Sequence, residues 1–215
     1  MRRFADRADA GRLLARRLGR YRGRDDVVVL GLPRGGVPVA APIAASLPAL
    51  LDVFVVRKLG VPRQPELAAG AIAGGVIVTN DDVIAAAGMT RADLDAVIGR
   101  ERRELARREI AYRQGCPPLP VAGRTVIVVD DGVATGATMR VALRALRSQG
   151  VARLVVAVPV GPVGVAEQLT PADEVICLAT PRRFRGVGGA YHDFAQCTDD
   201  EVRAALGGRR GAGGY

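Results

Sequence analysis

Two adjacent carboxylates followed by a loop of small residues form the segment best suited to carry chemistry. Asp130 and Asp131 come directly after the β-branched run at 126–129, and they precede Gly132-Val133-Ala134-Thr135-Gly136-Ala137-Thr138 and an amphipathic helix. In an open parallel sheet, ligands bind at this carboxyl edge. The loop amides, the helix dipole and the threonine hydroxyls can surround a phosphate, while paired carboxylates can hold vicinal hydroxyls or hydrated Mg²⁺. The segment therefore predicts a site for a phosphorylated sugar.

Residues 126–138, with the sequence VIVVDDGVATGAT, resemble the 13-residue phosphoribosyl-pyrophosphate (PRPP) motif of type I phosphoribosyltransferases at every constrained position. The resemblance implies that Asp130 and Asp131 hold the ribose hydroxyls and, directly or through water, Mg²⁺. It implies that residues 132–138 form the 5′-phosphate loop, with Ala134 to Thr138 around the phosphate itself. It also implies the activity, which is transfer of the phosphoribosyl group of PRPP to a nitrogen nucleophile such as a nucleobase, with release of pyrophosphate.

Two further segments supply glycines and basic groups. Leu32-Pro33-Arg34-Gly35-Gly36 ends the first predicted strand and resembles the pyrophosphate loop of the family. Lys58 ends the second predicted strand and is the one Lys among 31 basic residues, so its compact point charge stands out against an Arg-rich composition. The resemblance implies that Arg34, Gly35, Gly36 and Lys58 contact pyrophosphate, and that Arg34 and Lys58 join the two aspartates as catalytic groups.

Residues 179–197 fall where the family has a C-terminal hood that receives the nucleobase. Tyr191 or Phe194 could stack on a ring, and Asp193 could accept a hydrogen bond from a ring N–H group. Each of these side chains fits a place in the hood core or on its surface equally well. We therefore expect base contacts in this segment without assigning the base.

Short β-branched runs alternate along the chain with segments of helical apolar spacing, a pattern that predicts an α/β domain. We expect a central parallel sheet flanked by helices, in the type I phosphoribosyltransferase fold, within a single domain at residues 1–206. The predicted strands lie at residues 27–31, 51–56, 125–129, 153–158 and 174–178, and the predicted helices at residues 8–20, 37–46, 138–149 and 164–169, with a short last helix after Thr198. The tail at residues 207–215 is expected to be disordered.

Residues 58–113 depart from the compact core of the family. Prolines and glycines at 58–75 predict a mobile loop, to which residues 76–79 add a small hairpin. Residues 81–113 form a predicted helical insertion, in which Thr90 and Asp93 match a capping box. The apolar stripe of this insertion is narrow, so we expect a surface helix that serves as an outer layer or as a contact in a homo-oligomer.

The net charge of +9 is uneven, because the first 24 residues carry nine Arg against Asp6 and Asp9. Such a segment could contact nucleic acid, but a solvated helix face explains the same charge and is the interpretation we favour. Apolar runs are too short to cross a bilayer and no hydrophobic signal core follows Met1, so a cytoplasmic location is expected. The three cysteines, Cys116, Cys177 and Cys197, match neither a disulfide framework nor a zinc site.

Two other functions fit parts of the pattern. A PRPP-sensing regulator on the same fold could use the basic N-terminal helix on nucleic acid. The Arg34-Gly35-Gly36 turn and Lys58 favour catalysis over sensing, because a sensor needs fewer groups for a leaving group. A phosphohydrolase would use Asp130 and Asp131 with a metal ion. The sequence contains neither a P-loop motif nor a dinucleotide-binding motif.

Overall fold

The protein is built around a parallel sheet. In this computed structural model, which describes residues 3–62 and 64–207, the strands in chain order are β1 (Val27–Gly31), β2 (Leu50–Val53), β3 (Val56–Val61), β4 (Gln64–Ala73), β5 (Val76–Thr79), β6 (Thr125–Val129), β7 (Arg153–Val160) and β8 (Glu174–Ala179). Five of these form the parallel sheet in the order β2-β1-β6-β7-β8. The predicted fold class is confirmed, and the strands predicted at 27–31 and 125–129 have the predicted bounds.

Helices cover both faces of this sheet. They are α1 (Arg7–Arg17), α2 (Gly36–Ser46), α3 (Asp81–Ala86), α4 (Arg91–Arg113), α5 (Ala137–Ser148), α6 (Val165–Gln168) and α7 (Asp199–Gly207). Alternate strand residues face opposite sides, so that Val29 and Ile127 pack with α1, α2, α4 and α7, whereas Val28 and Val126 pack with α5 and α6. Because both faces are covered, β1 and β6 are buried along their whole length.

A second sheet is antiparallel, with the order β3-β4-β5. It corrects the loop predicted at 58–75, because β3 and β4 pair from Val56 opposite Ala73 to Val61 opposite Gln64, with an irregular register around Gly60. Gly70 lies inside β4, where a methyl group would come within 3.1 Å of the Cα of Thr79 on β5. This glycine therefore permits close approach of two strands and does not mark a loop.

The end of the predicted second strand is also corrected. β2 stops at Val53 because this residue pairs with Gly31, the last residue of β1, so the ladder has no further partner. The chain then enters β3, where Lys58 lies opposite Ala71. The prediction that placed Lys58 at the carboxyl edge of the parallel sheet is therefore wrong.

The insertion at 81–113 consists of α3 and α4. Thr90 Oγ1 accepts a hydrogen bond of 3.1 Å from Asp93 N, and Asp93 Oδ2 accepts one of 3.0 Å from Thr90 N, which confirms the capping box. The helix is attached more firmly than its narrow apolar stripe predicts. It buries the apolar residues Val97, Leu105 and Tyr112. It also buries Glu101 and Arg113, whose charges are matched by ion pairs to the strands beneath.

The hood segment at 179–197 is fastened to the N-terminal segment. Phe4 and Tyr191 form an isolated parallel bridge. Phe4 N donates to Ala190 O at 2.9 Å, and His192 N donates to Phe4 O at 2.8 Å. The first residues of the chain thus help to hold the hood over the end of the sheet.

The last helix extends into the predicted tail. α7 ends at Gly207, and residues 208–215, where disorder is predicted, lie outside the described residues. None of the helices in the described part of the chain combines the length and the apolar character needed to cross a membrane.

Candidate active site

The acidic pair lies where the central sheet ends. β6 delivers Asp130 and Asp131 to its carboxyl edge, and Asp131 N donates a hydrogen bond of 2.9 Å to Asp130 Oδ1. Burial raises the pKa of both carboxyl groups, and the charge of Asp131 raises the pKa of Asp130 further. Such a pair is stabilised by any ligand that brings hydroxyl donors or positive charge to it.

The loop after β1 packs directly on the acidic pair. Leu32 N donates to Val129 O at 2.8 Å, and Gly36 N donates to Leu32 O at 2.9 Å. A methyl group on Gly36 would lie 2.5 Å from Val129 O, and one on Gly35 would clash with the Asp131 carboxylate. Glycines here allow the two loops to touch. The structure thus brings the predicted pyrophosphate loop and the predicted ribose site together.

Arg34 lines a pocket beside this contact. The pocket has a volume of about 380 Å³ and is lined by Arg7, Arg34, Gly35, Asp131, Phe194, Gln196 and Cys197. The Arg34 side chain is 39% exposed, and its Nη1 lies 4.0 Å from Asp199 Oδ1. A guanidinium with such a distant counter-ion can turn toward an anionic ligand in the pocket.

The loop between β6 and α5 surrounds a depression of about 200 Å³. It is lined by Asp130, Gly132, Val133, Ala134, Thr135, Gly136, Ala137, Thr138, Met139 and Val187. Val133 N donates to Val160 O at 2.9 Å, which ties the loop to β7. Gly136, with φ of 73°, precedes the first turn of α5, where backbone N–H groups lack partners within the helix. An anion is stabilised at such a position.

Arg7, which no sequence signal distinguished, contacts the acidic pair. It lies at the start of α1, and its Nε donates to Asp131 Oδ2 at 2.9 Å. Its Nη1 donates to Ala195 O at 2.8 Å, and its guanidinium carbon lies 4.1 Å from the centroid of the Phe194 ring. The other arginines among the first 24 residues have the same residue type and similar neighbours in the sequence, so only the fold reveals this contact.

The hood places the predicted base-contacting residues near the same point. Tyr191 is only 3% exposed, and its hydroxyl donates to the Asp131 carbonyl at 2.6 Å; burial raises the pKa of this hydroxyl, which keeps it a donor. Its ring lies against Phe4 and Phe194, with centroids 5.5 and 5.0 Å away. Of the alternatives that the sequence left open, Tyr191 takes the hood core. Asp193 is exposed on the hood.

Lys58 lines a separate and larger cleft between α5 and the second sheet. The cleft has a volume of about 760 Å³. It shares Ala137 and Thr138 with the depression of the phosphate loop, and Arg140 and Arg144 of α5 also line it. Lys58 is therefore beside the phosphate loop and is not among the residues that line the Arg34 pocket.

The oxygen donors of Asp130 and Asp131 fit Mg²⁺ in combination with a ligand. Within the described ranges, no group of three or more His, Cys, Asp or Glu side chains could hold a metal ion without further ligands. Mg²⁺ usually keeps several waters and binds one or two carboxylates together with substrate phosphates. Paired carboxylates beside an anion site meet that requirement.

Comparison with known proteins establishes the family. Residues 5–178 match the family model for the phosphoribosyl transferase domain, and this range contains both loops and the acidic pair. The chain belongs to the phosphoribosyltransferase family. The predicted family and fold are thus confirmed, and most of the hood of this phosphoribosyltransferase lies beyond the matched residues.

Relatives of this phosphoribosyltransferase agree with the family model. It is 52% identical over 208 residues to two Mycobacterium tuberculosis proteins, provisionally named phosphoribosyl transferases MT0597 (strain CDC 1551 / Oshkosh) and Rv0571c (strain ATCC 25618 / H37Rv). The match covers 96% of this chain and 47% of each relative, so the chain spans about half the length of the curated relatives it matches. The crystal structure of TT1426 from Thermus thermophilus is 42% identical, with a TM-score of 0.82 and coverage of 97% of this chain and 99% of that chain.

Proposed function

We propose that this phosphoribosyltransferase transfers the phosphoribosyl group of PRPP to a nitrogen nucleophile and releases pyrophosphate. The observation that carries the proposal is the contact between the Gly35-Gly36 turn and the acidic pair, beside the phosphate loop. Backbone amides at a helix N-terminus, paired carboxylates and a basic side chain at a glycine turn meet there. These are the groups that a phosphorylated sugar with a pyrophosphate leaving group needs.

Each part of PRPP has a matching group at this edge of the sheet. Ala134 to Thr138 would hold the 5′-phosphate, and the acidic pair would hold the ribose hydroxyls. Arg34 and the amides of the Gly35-Gly36 turn would contact pyrophosphate. Lys58 would approach phosphate oxygens from the cleft beside α5. When bound, Mg²⁺ would neutralise part of the pyrophosphate charge.

The proposed reaction breaks the bond between C1′ and a pyrophosphate oxygen, and the electron pair leaves with pyrophosphate. A bond then forms from the acceptor nitrogen to C1′. Positive charge develops on the sugar while negative charge develops on the leaving group. The acidic pair would stabilise the sugar, and Arg34 with the turn amides would stabilise the leaving group. Removing one preorganised group of this kind costs about 10²- to 10³-fold in rate.

We propose a nucleobase as the acceptor. Val187 of the hood lines the same depression as Gly132 and Val133, and these side chains supply an apolar wall for a planar ring. Asp193 is exposed and could accept a hydrogen bond from a ring N–H group. Tyr191, which is enclosed by its neighbours, would support the hood and not contact the ring.

Calorimetry and a product assay test the proposal. PRPP with Mg²⁺ is titrated into the purified chain, and the same ligands are then incubated with a panel of purine and pyrimidine bases while pyrophosphate is measured. We expect binding heat and base-dependent pyrophosphate release, both strongly reduced in Asp131→Asn. Asp95→Asn is the matched control, because Asp95 lies on the exposed side of α4 with Arg91 as its ion-pair partner.

The outcomes separate the candidate functions. Absence of binding heat in the wild-type protein contradicts the proposal. Heat without pyrophosphate release for any base, together with salt-sensitive RNA or DNA binding that PRPP changes, would indicate a PRPP-sensing regulator. Release of inorganic phosphate from sugar phosphates would indicate a phosphohydrolase.

A further inference from the structure

Arg7 joins three parts of the molecule that lie far apart in the sequence. Its side chain is 14% exposed, and it contacts the Asp131 carboxylate, the Ala195 carbonyl and the Phe194 ring at once. These contacts connect the start of α1, the end of β6 and the hood. A largely buried guanidinium needs partners for both its charge and its N–H groups, and here it has both.

The more exposed arginines of α1 have a different environment. The side chain of Arg12 is 58% exposed, and its ion pair is a 3.5 Å contact with Asp9 in the same helix. A planar guanidinium can stack on a ring while it donates hydrogen bonds through its edge, whereas the ammonium group of Lys cannot do both. Position 7 therefore uses properties that are specific to Arg.

We propose that Arg7 is a positioning residue of the PRPP site, which holds the Asp131 carboxylate beside the Gly35 turn and couples its position to the hood. The inference rests on the proposed function, because Asp131 is the group that would bind ribose. Arg7 occupies Oδ2 of Asp131, which leaves Oδ1 to face a ligand. Arg7 thus acts through Asp131 and needs no contact with the reacting atoms.

The charge of Arg7 also affects the ionisation of Asp131. Burial raises the pKa of this carboxyl group, while the hydrogen bond and charge of Arg7 lower it. Removing the guanidinium therefore raises the pKa of Asp131, so the ionised form persists only at higher pH. The other titratable or charged groups that face Asp131 or its pocket remain unchanged in such a variant: Asp130, Arg34, Tyr191 and Cys197.

Three variants distinguish positioning from simple stability. Arg7→Met removes the charge and the planar group, Arg7→Lys keeps the charge alone, and Arg12→Met removes an exposed charge from the same helix. Each is compared with wild type by melting temperature, by calorimetry with PRPP and Mg²⁺, and by kcat, KM and the pH profile of pyrophosphate release. We expect Arg7→Met to lose about 10- to 100-fold in kcat/KM and to shift its acidic limb to higher pH. Arg7→Lys should recover part of the loss and keep the acidic limb, and Arg12→Met should match wild type.

Several outcomes would overturn the inference. If wild type binds PRPP and Arg7→Met keeps the wild-type kcat/KM and pH profile, Arg7 has no positioning role and the proposed function stands. If Arg7→Met only melts at a lower temperature while its acidic limb stays in place, Arg7 is merely structural. If Arg7→Met does not fold, a wild-type kcat/KM in Arg7→Lys overturns the need for the planar group. If wild type neither binds PRPP nor releases pyrophosphate, the proposed function fails and this inference fails with it.

Discussion

Gly35 lies so close to the carboxylate of Asp131 that a methyl group on its Cα would overlap that carboxylate. The contact joins the turn after β1 to the acidic pair after β6, and these two strands are direct neighbours in the sheet. Neither segment can shift at this point without displacing the other. The pyrophosphate and ribose parts of PRPP would therefore bind to one connected unit, as a reaction at the bond between them requires.

We expect Gly35→Ala to reduce activity without unfolding the protein. The added methyl group must displace Asp131 or the turn, and a misplacement of about 1 Å at a reacting centre costs about 100-fold in rate. Gly99→Ala is the control, because the nearest atom to its new methyl group would be Arg103 Nη1 at 3.7 Å. The control should keep its kcat/KM for pyrophosphate release. Equal activity of the two variants would show that the Gly35 contact has no part in catalysis.

Asp130→Asn should stabilise the fold at neutral pH. Burial and the charge of Asp131 raise the pKa of Asp130 in the folded protein, whereas the unfolded chain ionises with the ordinary Asp pKa of about 3.9. Between these two values the folded state binds more protons, so the free energy of unfolding falls as pH rises, and the loss is complete above the folded-state pKa. Asn carries no charge and escapes this loss.

Urea denaturation over a range of pH measures this effect. At neutral pH the Asp130→Asn variant should have the larger free energy of unfolding, and its advantage should shrink as the pH is lowered toward about 3.9. Its pyrophosphate release should fall about 10²- to 10³-fold. Asp95→Asn, at an exposed position, should show neither change. A variant less stable than wild type at neutral pH would contradict the assignment of Asp130 as a destabilising buried carboxyl group.

Arg113→Met should destabilise the protein strongly, because it would leave Asp52 buried without its ion-pair partner. Arg113 Nε lies 3.1 and 3.2 Å from the two Asp52 oxygens, and the side chains are 7% and 1% exposed. Breaking one side of a buried pair costs about 3–5 kcal/mol. Arg107→Met removes a surface partner of Glu104 and should cost about 0–1 kcal/mol. Urea unfolding compares the two variants, and similar losses would mean that the buried pair does not secure α4.

The parallel sheet and both of its loops could be predicted because they depend on local patterns. Buried β-branched runs give β1 and β6 their bounds, and glycine with small residues marks the turns that follow them. The second sheet could not be predicted in the same way. Gly70 suggested a loop, yet it serves a close approach between strands. The end of β2 depends on where its partner ends, at Gly31, and this is a property of the sheet that no local pattern contains.

The contacts that complete the site are long-range and were missed for that reason. Arg7 and Asp131 are 124 residues apart, and in a chain rich in Arg the residue type gives no warning. Tyr191 was assigned to two alternatives because an aromatic residue suits a core and a ring-binding surface equally. Its hydroxyl on the Asp131 carbonyl decides between them. Charges buried as pairs, such as Arg113 with Asp52, likewise cannot be read from apolar periodicity.

Lys58→Met tests whether the cleft beside α5 belongs to the PRPP site. Lys58 and Thr138 line this one cleft, so a positive charge there would attract phosphate oxygens bound at the first turn of α5. We expect kcat/KM for pyrophosphate release to fall about 100-fold. Lys58→Arg should retain part of the activity, because the charge remains while its shape changes. Arg91→Met is the control, since its side chain is 85% exposed and pairs with Asp95 in the same helix. A wild-type kcat/KM in Lys58→Met would exclude Lys58 from catalysis and leave Arg34 as the proposed basic side chain at pyrophosphate.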